Sequence, residues 1–486
     1  MSTTESILKK ISDWPIAASQ DDRKLFYDDG NLADLESGKR DMVVGRKGSG
    51  KSAICEHFNE KFGVQALQTN TTDFPWNLFA RLQDMRFAAA ASYITVWKFV
   101  ILRSALQLLG SVAPDQAKTI YEDPTVRTFL LSIGIDPRQN LKQKLGDLVS
   151  SLAQREIKIA GTGIGAQTNA QSMATPSVAD FNRVVLSAFE TVNAPPLYIL
   201  FDGLDDNFNP HAEPQERREY QYQIAGLLSA AQQISTELRE RRPIRPIVFI
   251  RSDLLDFLQG LYDTNKTTDR SVNLHWDSRR LARLVNFRLS RELNLASPED
   301  DFDSVWTQVF TRTQMSRGKG RSQSSMFDQY ILNQTLQRPR DVIAFMRCCA
   351  AAALSMGKER VPVDAVRNAQ KPYSTHFKNE FINELSPSIP DAARAFRVFN
   401  RLRKRHFTFS ELSTELVEMG QSGDVDLNGK TPEHFAKTLF EASVIGVLAP
   451  GNIYEFRYLV PGSTFATRRP LGLHRGLHHE FNIQLA

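Results

Sequence analysis

The chain has 486 residues, of which 41% are hydrophobic and 24% are charged, a composition typical of folded globular proteins and not of disordered or fibrous ones. Its length exceeds the ~100 to 200 residues of one ordinary domain, so we expect two or three domains. The formal net charge of +5 identifies no partner by itself, although it leaves room for local basic patches.

Cysteine content and the lack of long apolar runs bear on the compartment. The three cysteines, Cys55, Cys348 and Cys349, are too few for a disulfide framework, and we interpret them as buried thiols in a reducing compartment. The first ten residues contain no apolar run of signal-peptide length, and the most apolar long stretch, 91–110, has Lys98 and Arg103 in its middle. The sequence therefore predicts a soluble, cytoplasmic protein.

The sequence pattern of the first 180 residues predicts one strand and several helices. Residues 1–39 are polar and acidic and predict a short helical lead-in. An apolar run at 42–44, then glycines, then helical spacing at 53–62 predict a strand, a loop and a helix. Residues 73–155 have helix-like periodicity broken by prolines, which predicts a largely helical insertion reaching to about residue 180. The uncharged, small-residue stretch 158–177 predicts a loop or a thin hairpin, and its glycines do not fit a dinucleotide fingerprint.

Two apolar runs without alternation, 194–201 and 246–250, are typical of central parallel strands covered on both faces. A helical pattern at 213–239 lies between them, so strand, helix and strand repeat in the manner of a doubly wound α/β sheet. Further helices are predicted at 276–292 and 341–356, and the basic stretch 312–321 predicts a flexible loop.

The character of the sequence changes at about residue 391. Helical patterns are followed by two strand patterns around a Pro-Gly-Asn turn, which is the element order of a winged helix. The predicted helices are 391–404, 410–419 and 432–443, and the predicted strands are 444–448 and 453–460.

The most specific motif is GRKGSGKS, which fits G-x-x-x-x-G-K-[ST] at every fixed position and lies between a predicted strand and a predicted helix. Backbone N–H groups of such a turn surround a phosphate, and the helix N-terminus adds its positive end. We expect Lys51 to reach the β- and γ-phosphates and Ser52 to bind Mg²⁺. The predicted phosphate site comprises Gly45, Arg46, Lys47, Gly48, Ser49, Gly50, Lys51 and Ser52.

A Mg²⁺-nucleotide site also needs a carboxylate at the end of an adjacent strand. The run LYILFD supplies Asp202, which we predict to be the metal residue. Asp205 and Asp206 follow after a short turn, where either could activate the attacking water. The alternative for these acids is a solvated loop or a helix cap. Because Lys51 and Asp202 lie much further apart than one strand–helix–strand unit, we expect the intervening insertion to stack outside the sheet.

Together these residues resemble AAA+ and STAND-type P-loop ATPases. The phrase FDGLDD at 201–206 resembles the STAND version of the second Walker motif, and the pattern at 276–288 resembles a helix of these families. Arg251 ends a strand where they keep a sensor of the γ-phosphate. Arg338 and Arg340, at a helix start, resemble the lid sensor of the origin-recognition clade of AAA+ proteins. Each arginine has a surface or helix-capping role as its alternative.

The resemblance implies an α/β P-loop NTPase with a helical insertion and lid, followed by an α+β winged helix. The implied domains are a lead-in (1–39), an ATPase core (40–270), a lid (271–385) and a winged helix (386–486). It implies ATP and Mg²⁺ as cofactors and an ATP-hydrolysing switch. The implied catalytic residues are Lys51, Asp205, Asp206, Arg251, Arg338 and Arg340.

The implied biological role is a prokaryotic anti-phage defence or signalling ATPase, acting as a homo-oligomer or in a complex with a separately encoded effector. The alternatives are a DNA-binding initiator or loader and, third, a small-molecule kinase.

Residues 394–405 contain six cations and no acid, which suits phosphate contacts. The helix at 432–443 offers few base-reading side chains, so non-specific nucleic-acid contact and protein docking both stay open. The histidines at 474, 478 and 479 lack a Cys or acidic partner at ligand spacing, and we expect a packed C-terminal helix there.

Overall fold

The computed structural model describes residues 6–17, 20–21, 23–70, 89–133, 176–205, 213–238, 243–258, 260–262, 267, 269–295, 301–316, 323–389, 391–427 and 429–483. These residues form two compact units. The central unit is drawn from residues 28–275, and the terminal unit is drawn from the residues before 28 and after 275.

Helices and strands are numbered in chain order. The helices are α1 (Ile7–Ser12), α2 (Leu32–Glu36), α3 (Lys51–Phe62), α4 (Ala89–Val112), α5 (Pro114–Glu122), α6 (Pro124–Ser132), α7 (Val178–Phe189), α8 (Pro214–Glu237), α9 (Ser252–Phe257), α10 (Ser278–Glu292), α11 (Phe302–Val309), α12 (Pro339–Ser355), α13 (Val363–Leu385), α14 (Ala392–Ala395), α15 (Val398–Leu402), α16 (Phe409–Gln421) and α17 (Pro432–Glu441). The strands are β1 (Met42–Gly45), β2 (Ala66–Asn70), β3 (Leu197–Asp202), β4 (Ile244–Arg251), β5 (Ser271–Asn273), β6 (Gln314–Ser316), β7 (Gln323–Ser325), β8 (His406–Phe407), β9 (Ile445–Ala449), β10 (Ile453–Glu455) and β11 (Leu471–Leu473).

The central unit is built on a five-stranded sheet in the order β2-β3-β4-β1-β5, with all neighbouring pairs parallel. The predicted α/β class, a parallel sheet of the P-loop NTPase kind, is confirmed. One expectation is wrong: the strand that carries Asp202 is not adjacent to β1, because β4 lies between them. Strand order depends on pairings between distant segments, and local apolar patterns carry no information about it.

Both faces of this sheet are covered. Met42 and Val44 of β1, like alternate residues of β3 and β4, pack into one apolar cluster with α4, α7 and α8. On the opposite face, Tyr198 of β3 contacts Phe58 and Phe62 of α3, at ring-centroid distances of 5.5 and 4.2 Å. The buried strands therefore read as continuous apolar runs in the sequence.

The part of the predicted insertion that the structure describes is helical, as expected. α4 is the helix among the described residues that is long and apolar enough to cross a membrane, but 67% of its apolar window lies buried in this unit. It packs against α8, with the indole N–H of Trp97 donating to the carbonyl of Gln223 (2.9 Å). We conclude that α4 is a core helix. The predicted loop or hairpin at 158–177 lies almost wholly outside the described residues.

The terminal unit combines the lead-in with the C-terminal half of the chain. Within it, α1 packs on α12, and Trp14 donates from its indole N–H to Glu292 (2.9 Å). The basic stretch 312–321, predicted to be a loop, forms strand β6 at 314–316, which pairs with β7 in an antiparallel hairpin. Residues 317–322 lie outside the described part of the chain.

A second sheet, in the order β10-β9-β11-β8, is antiparallel and follows the last long helix, α13. The helix predicted at 391–404 is divided into α14 and α15, and Arg403 ends α15 in the left-handed region (φ 48°). α16, α17 and β9 lie where the sequence predicts them, whereas β10 stops at Glu455. β8 and β11 have only two and three residues, too few for any periodic pattern to show.

Candidate nucleotide-binding site

The GRKGSGKS loop lies at the carboxyl edge of the central sheet. β1 ends at Gly45, and α3 begins at Lys51. β3 ends at this edge with Asp202, and β4 ends with Arg251 opposite Gly45 in the strand register. Parallel strands bring their carboxyl ends to one edge. The ends of β1, β3 and β4 and the start of α3 therefore converge here.

Two glycines of the loop are required by its backbone, and a third lies against a neighbouring side chain. Gly48 and Gly50 have φ values of 78° and 100°, in the left-handed region that disfavours side chains. A Cβ on Gly45 would lie 2.4 Å from the Oγ of Ser49. The loop conformation therefore explains the glycine positions of the motif.

Lys51 is buried and has no counter-charge in contact with it among the described residues. Its side chain is 8% exposed, and its Nζ donates to the carbonyl oxygens of Gly45 (3.1 Å) and Arg46 (3.2 Å). Within the described part of the chain it forms no ion pair. Burial lowers the pKa of Lys51, and the nearby Asp205 and Asp202 partly oppose that effect. A buried ammonium that is bonded only to carbonyls is unfavourable, so the residues present fit an anionic ligand.

Ser52 and Asp202 lie together beneath the loop. The Ser52 hydroxyl donates to the Asp202 carboxylate, as does the backbone N–H of Gly203, and both bonds oppose the rise in the pKa of Asp202 that burial causes. A hydroxyl and a carboxylate are oxygen ligands suited to Mg²⁺, which usually keeps waters and phosphate oxygens as its other ligands. Among the described residues no group of three or more His, Cys, Asp or Glu forms a metal site. The pair therefore fits a Mg²⁺ ion that arrives with a nucleotide.

Arg251 joins two carboxylates at this edge. Its guanidinium donates to Asp205 (3.2 Å) and, with two nitrogens, to Asp253 of α9 (2.9 and 2.6 Å). Asp253 was not predicted from the sequence, although its position two residues beyond a strand-ending arginine was a signal available in the sequence. Asp206, the other predicted water-activating residue, lies outside the described residues.

The two predicted lid arginines belong to the terminal unit. Arg338 is 4% exposed and donates from Nε and Nη2 to the Asp341 carboxylate (both 3.0 Å), with Glu384 at 3.7 Å. Arg340 pairs with Glu380 at 3.2 Å, and 30% of its side chain is exposed. The structure thus brings Lys51, Ser52, Asp202, Asp205 and Arg251 together in the central unit, and Arg338 is neutralised within its own unit.

The basic segment 394–405 is only partly free of carboxylates. Arg394, Arg401 and Lys404 pair with Asp391, Asp424 and Glu411 respectively. Arg397, Arg403 and Arg405 have no ion pair with any described residue. On the predicted recognition helix, α17, Lys437 lies 3.9 Å from Glu441. Three arginines, rather than six cations, are therefore available for phosphate contacts.

Two smaller predictions need correction. Cys55 and Cys349 are buried, but Cys348 is only half-buried, with burial raising its pKa to about 11. The histidine segment contains a short 3₁₀ helix, Arg475–Leu477, where a packed helix was expected. Its backbone is confined, because β11 precedes it and a Cβ on Gly476 would lie 2.3 Å from the carbonyl oxygen of Gln334.

Comparison with known proteins gives a local match and a distant relative. The family described as the FunZ-associated C-terminal helical domain matches residues 279–381, which lie in the terminal unit. The transposon gamma-delta 80.3 kDa protein of Escherichia coli (strain K12) is 23% identical over 420 residues, covering 80% of this chain and 54% of that protein. The chain thus spans about half the length of the curated relative it matches.

The solved structures it is similar to include ORC and Cdc6 proteins. They include the Aeropyrum pernix ORC1 protein in complex with DNA (TM-score 0.35, 12% identity, 98% of this chain and 91% of that chain). They also include the Aeropyrum pernix ORC2 protein in ADPNP–ADP complexes (0.36, 13%, 93% and 90%) and Cdc6p from Pyrobaculum aerophilum (0.31, 10%, 98% and 96%). At these scores the assignment of the fold rests on the sheet and the loop of this chain itself.

Proposed function

We propose that the protein is an ATP-binding and ATP-hydrolysing switch of the AAA+ kind. The observation that carries this proposal is the buried ammonium of Lys51, which is held by two carbonyls in a glycine loop while Asp202 and Ser52 lie beside it. A site of this kind fits a polyanion with a divalent cation.

Each residue has a task in the proposed reaction. Lys51 would exchange its carbonyl bonds for oxygens of the β- and γ-phosphates, and the loop N–H groups would hold the remaining phosphate charge. Ser52 and Asp202 would hold Mg²⁺, which supplies neutralisation of the charge that develops on the phosphates. Asp205 or Asp206 would orient the attacking water and take up its proton.

The terminal unit would provide the lid and the output of the switch. We propose that residues 271–385 act as the lid and 386–486 as a winged helix. Arg340 is the better candidate for a phosphate contact, because its side chain is partly exposed while that of Arg338 is buried in an ion pair. The resemblance to STAND ATPases supports a cytoplasmic role in anti-phage defence or signalling, in an oligomer or with a separately encoded effector.

A second candidate function is a DNA-binding initiator or loader. It is favoured by Arg397, Arg403 and Arg405, which lack carboxylate partners among the described residues. Arg403 and Arg405 come directly before strand β8 of the antiparallel sheet. Phosphate contacts of this kind would make the affinity for duplex DNA fall steeply with salt.

Turnover of ATP tests the first proposal. Purified wild-type protein, Lys51→Ala and the double variant Asp205→Asn/Asp206→Asn would be assayed for Mg²⁺-dependent phosphate release. We expect phosphate release by the wild type and by neither variant. The wild type and the double variant should bind ATP, and Lys51→Ala should not. Equal release by all three proteins would rule out the proposed mechanism.

A further inference from the structure

Arg251 lies next to the phosphate loop because of the strand register. β4 and β1 are neighbouring parallel strands with Arg251 opposite Gly45, and neighbouring strands are about 4.8 Å apart. The Arg251 side chain is only 15% exposed. A cation at this place lies close to where Lys51 would meet the terminal phosphate.

Asp253 and Asp205 both accept hydrogen bonds from the Arg251 guanidinium. Two of its nitrogens donate to the two oxygens of the Asp253 carboxylate, at 2.9 and 2.6 Å, which is the paired geometry that carboxylates and guanidinium groups favour. Asp205 receives one longer bond of 3.2 Å. Asp253 is therefore the stronger of these two partners, and it lies in the first turn of the short helix α9.

These charges act on one another. Asp205, Asp253 and Arg251 all influence the pKa of Lys51, the two carboxylates raising it and the arginine lowering it. The phosphate lysine, the arginine and its two carboxylates therefore share one electrostatic neighbourhood. A trianionic or tetraanionic nucleotide entering it would compete with the carboxylates for Arg251.

We infer that Asp253 is a positioning residue that holds the Arg251 guanidinium away from the phosphate site. The terminal phosphate of ATP competes with Asp253 and moves the guanidinium towards itself. The inference rests on the proposed nucleotide site. ATP, but not ADP, carries the phosphate that competes with Asp253. Withdrawal of Arg251 also releases the Asp205 carboxylate, whose oxygens can then accept a hydrogen bond from water. Recognition of the terminal phosphate and readiness for hydrolysis are thereby coupled through one guanidinium.

The ratio of ATP affinity to ADP affinity tests this inference. Calorimetric titrations with Mg²⁺-ATP and Mg²⁺-ADP would be carried out on the full chain as wild type, Asp253→Asn, Asp253→Glu and Asp256→Asn. Asp253 has a side chain that is 55% exposed, so its amide variant is expected to fold. Asp256→Asn makes the same change of charge on the same helix and serves as the matched control.

We expect Asp253→Asn to bind ATP about three- to fivefold more tightly than the wild type, because the competing ion pair is weakened. ADP affinity should change less than about twofold by the same argument. Asp253→Glu keeps the carboxylate and should restore most of the wild-type ratio, and Asp256→Asn should leave the ratio unchanged.

Two results would overturn the inference. One is a ratio in Asp253→Asn equal to that of the wild type or of Asp256→Asn. The other is weaker ATP binding by Asp253→Asn in protein whose circular dichroism is that of the wild type. Failure of the proposed function has a different signature, since the wild type and Asp256→Asn would then bind neither nucleotide.

Discussion

Lys51 and Arg338 are buried cations, one from each unit, and the residues around them differ. Arg338 in the terminal unit is 4% exposed and is met by the carboxylates of Asp341 and Glu384. Lys51 in the central unit is 8% exposed and is met by two carbonyl oxygens. Burial of a cation alone therefore does not identify a ligand site. A buried cation with no carboxylate partner among the described residues is the stronger reason to propose one, because an unneutralised buried charge is costly.

The pKa values of the two cations are also shifted in opposite directions. Burial lowers the pKa of Lys51, and the more distant Asp205 and Asp202 oppose this only partly. Burial would also lower the pKa of Arg338, but the attraction of Asp341 and Glu384 is larger and raises it above its ordinary value. The carboxylates of the terminal unit thus stabilise the charge on Arg338, and under the proposed function a phosphate would do the same for Lys51.

The largest expected effect concerns Arg338. Replacing it by Met leaves Asp341 and Glu384 without their cation, which should destabilise the surrounding structure by about 3 to 5 kcal/mol. Amide hydrogen exchange in α12 measures this directly, as a loss of protection of at least about 100-fold. Arg367→Met, which removes an exposed ion pair with Asp364 on α13, is the control. Equal protection in both variants would show that the buried pair is not structural.

Two buried histidines make the terminal unit sensitive to acid. Burial lowers the pKa of His474 to about 3 and that of His478 to about 4, from a usual 6.5. Because both folded-state pKa values are depressed, the stabilisation is complete above pH ~6.5 and is lost as the pH falls towards the folded values. At pH 5 the loss is about 2 kcal/mol for each histidine.

Hydrogen exchange near β11, followed from pH 7.5 to pH 5 with correction for the intrinsic rate, measures this loss. His474→Gln should remove about half of the pH dependence, since it removes one of two similar contributions. His376→Asn, at a histidine outside this cluster, should leave the profile unchanged. A pH-independent stability of the wild type would contradict the assignment.

Lys51 should behave in the opposite way to Arg338. Lys51→Met removes a buried charge that has no carboxylate partner among the described residues. The free energy of unfolding without nucleotide, followed by the thermal midpoint, should therefore stay the same or rise by up to about 1 kcal/mol. Lys61→Met, on the same helix but paired with Glu36 at the surface, provides the comparison and should change stability by less than about 0.5 kcal/mol. A Lys51→Met protein destabilised as strongly as Arg338→Met would remove the contrast between the two cations.

The smallest effect is expected on the second candidate function. The triple variant Arg397→Gln/Arg403→Gln/Arg405→Gln should weaken duplex DNA binding at low salt and reduce the salt slope by about 3. Fluorescence anisotropy over a salt series measures both quantities. The matched variant Arg394→Gln/Arg401→Gln/Lys404→Gln removes three cations that are already paired and should have a smaller effect. No effect of the first triple would exclude a role for Arg397, Arg403 and Arg405, and equal effects of the two triples would show that carboxylate pairing does not decide which cations contact DNA.

The sequence predicted the elements whose signals are local. β3 and β4 were evident because strands covered on both faces are continuously apolar. β2, with the sequence ALQTN, and the three-residue β5 were missed, because neither shows a period or a long apolar run. The order of the strands was wrong where it placed Asp202 adjacent to β1, since pairing partners come from distant parts of the chain.

The position of the GRKGSGKS loop between a strand and a helix could be predicted, because the motif is contiguous. The partners of the arginines could not. Whether Arg338 is neutralised depends on helix α12 placing Asp341 three residues on and on α13 bringing Glu384 close. The bond of Arg251 to Asp253 depends likewise on the turn from β4 into α9. Both pairings depend on the direction in which a side chain leaves the end of its strand or helix. The spacing of residues in the sequence does not fix that direction.

Lys51 has no carboxylate partner among the described residues, and the proposed function places the phosphates of a nucleotide against it. Isothermal titration of the full-length wild type and Lys51→Ala with ATP and Mg²⁺ tests this placement most directly. The placement predicts saturable binding by the wild type and a loss of affinity of about 100-fold or more in the variant, the value of a charge-assisted contact to phosphate. Absence of binding by the folded wild type, or equal affinity in both proteins, would contradict it.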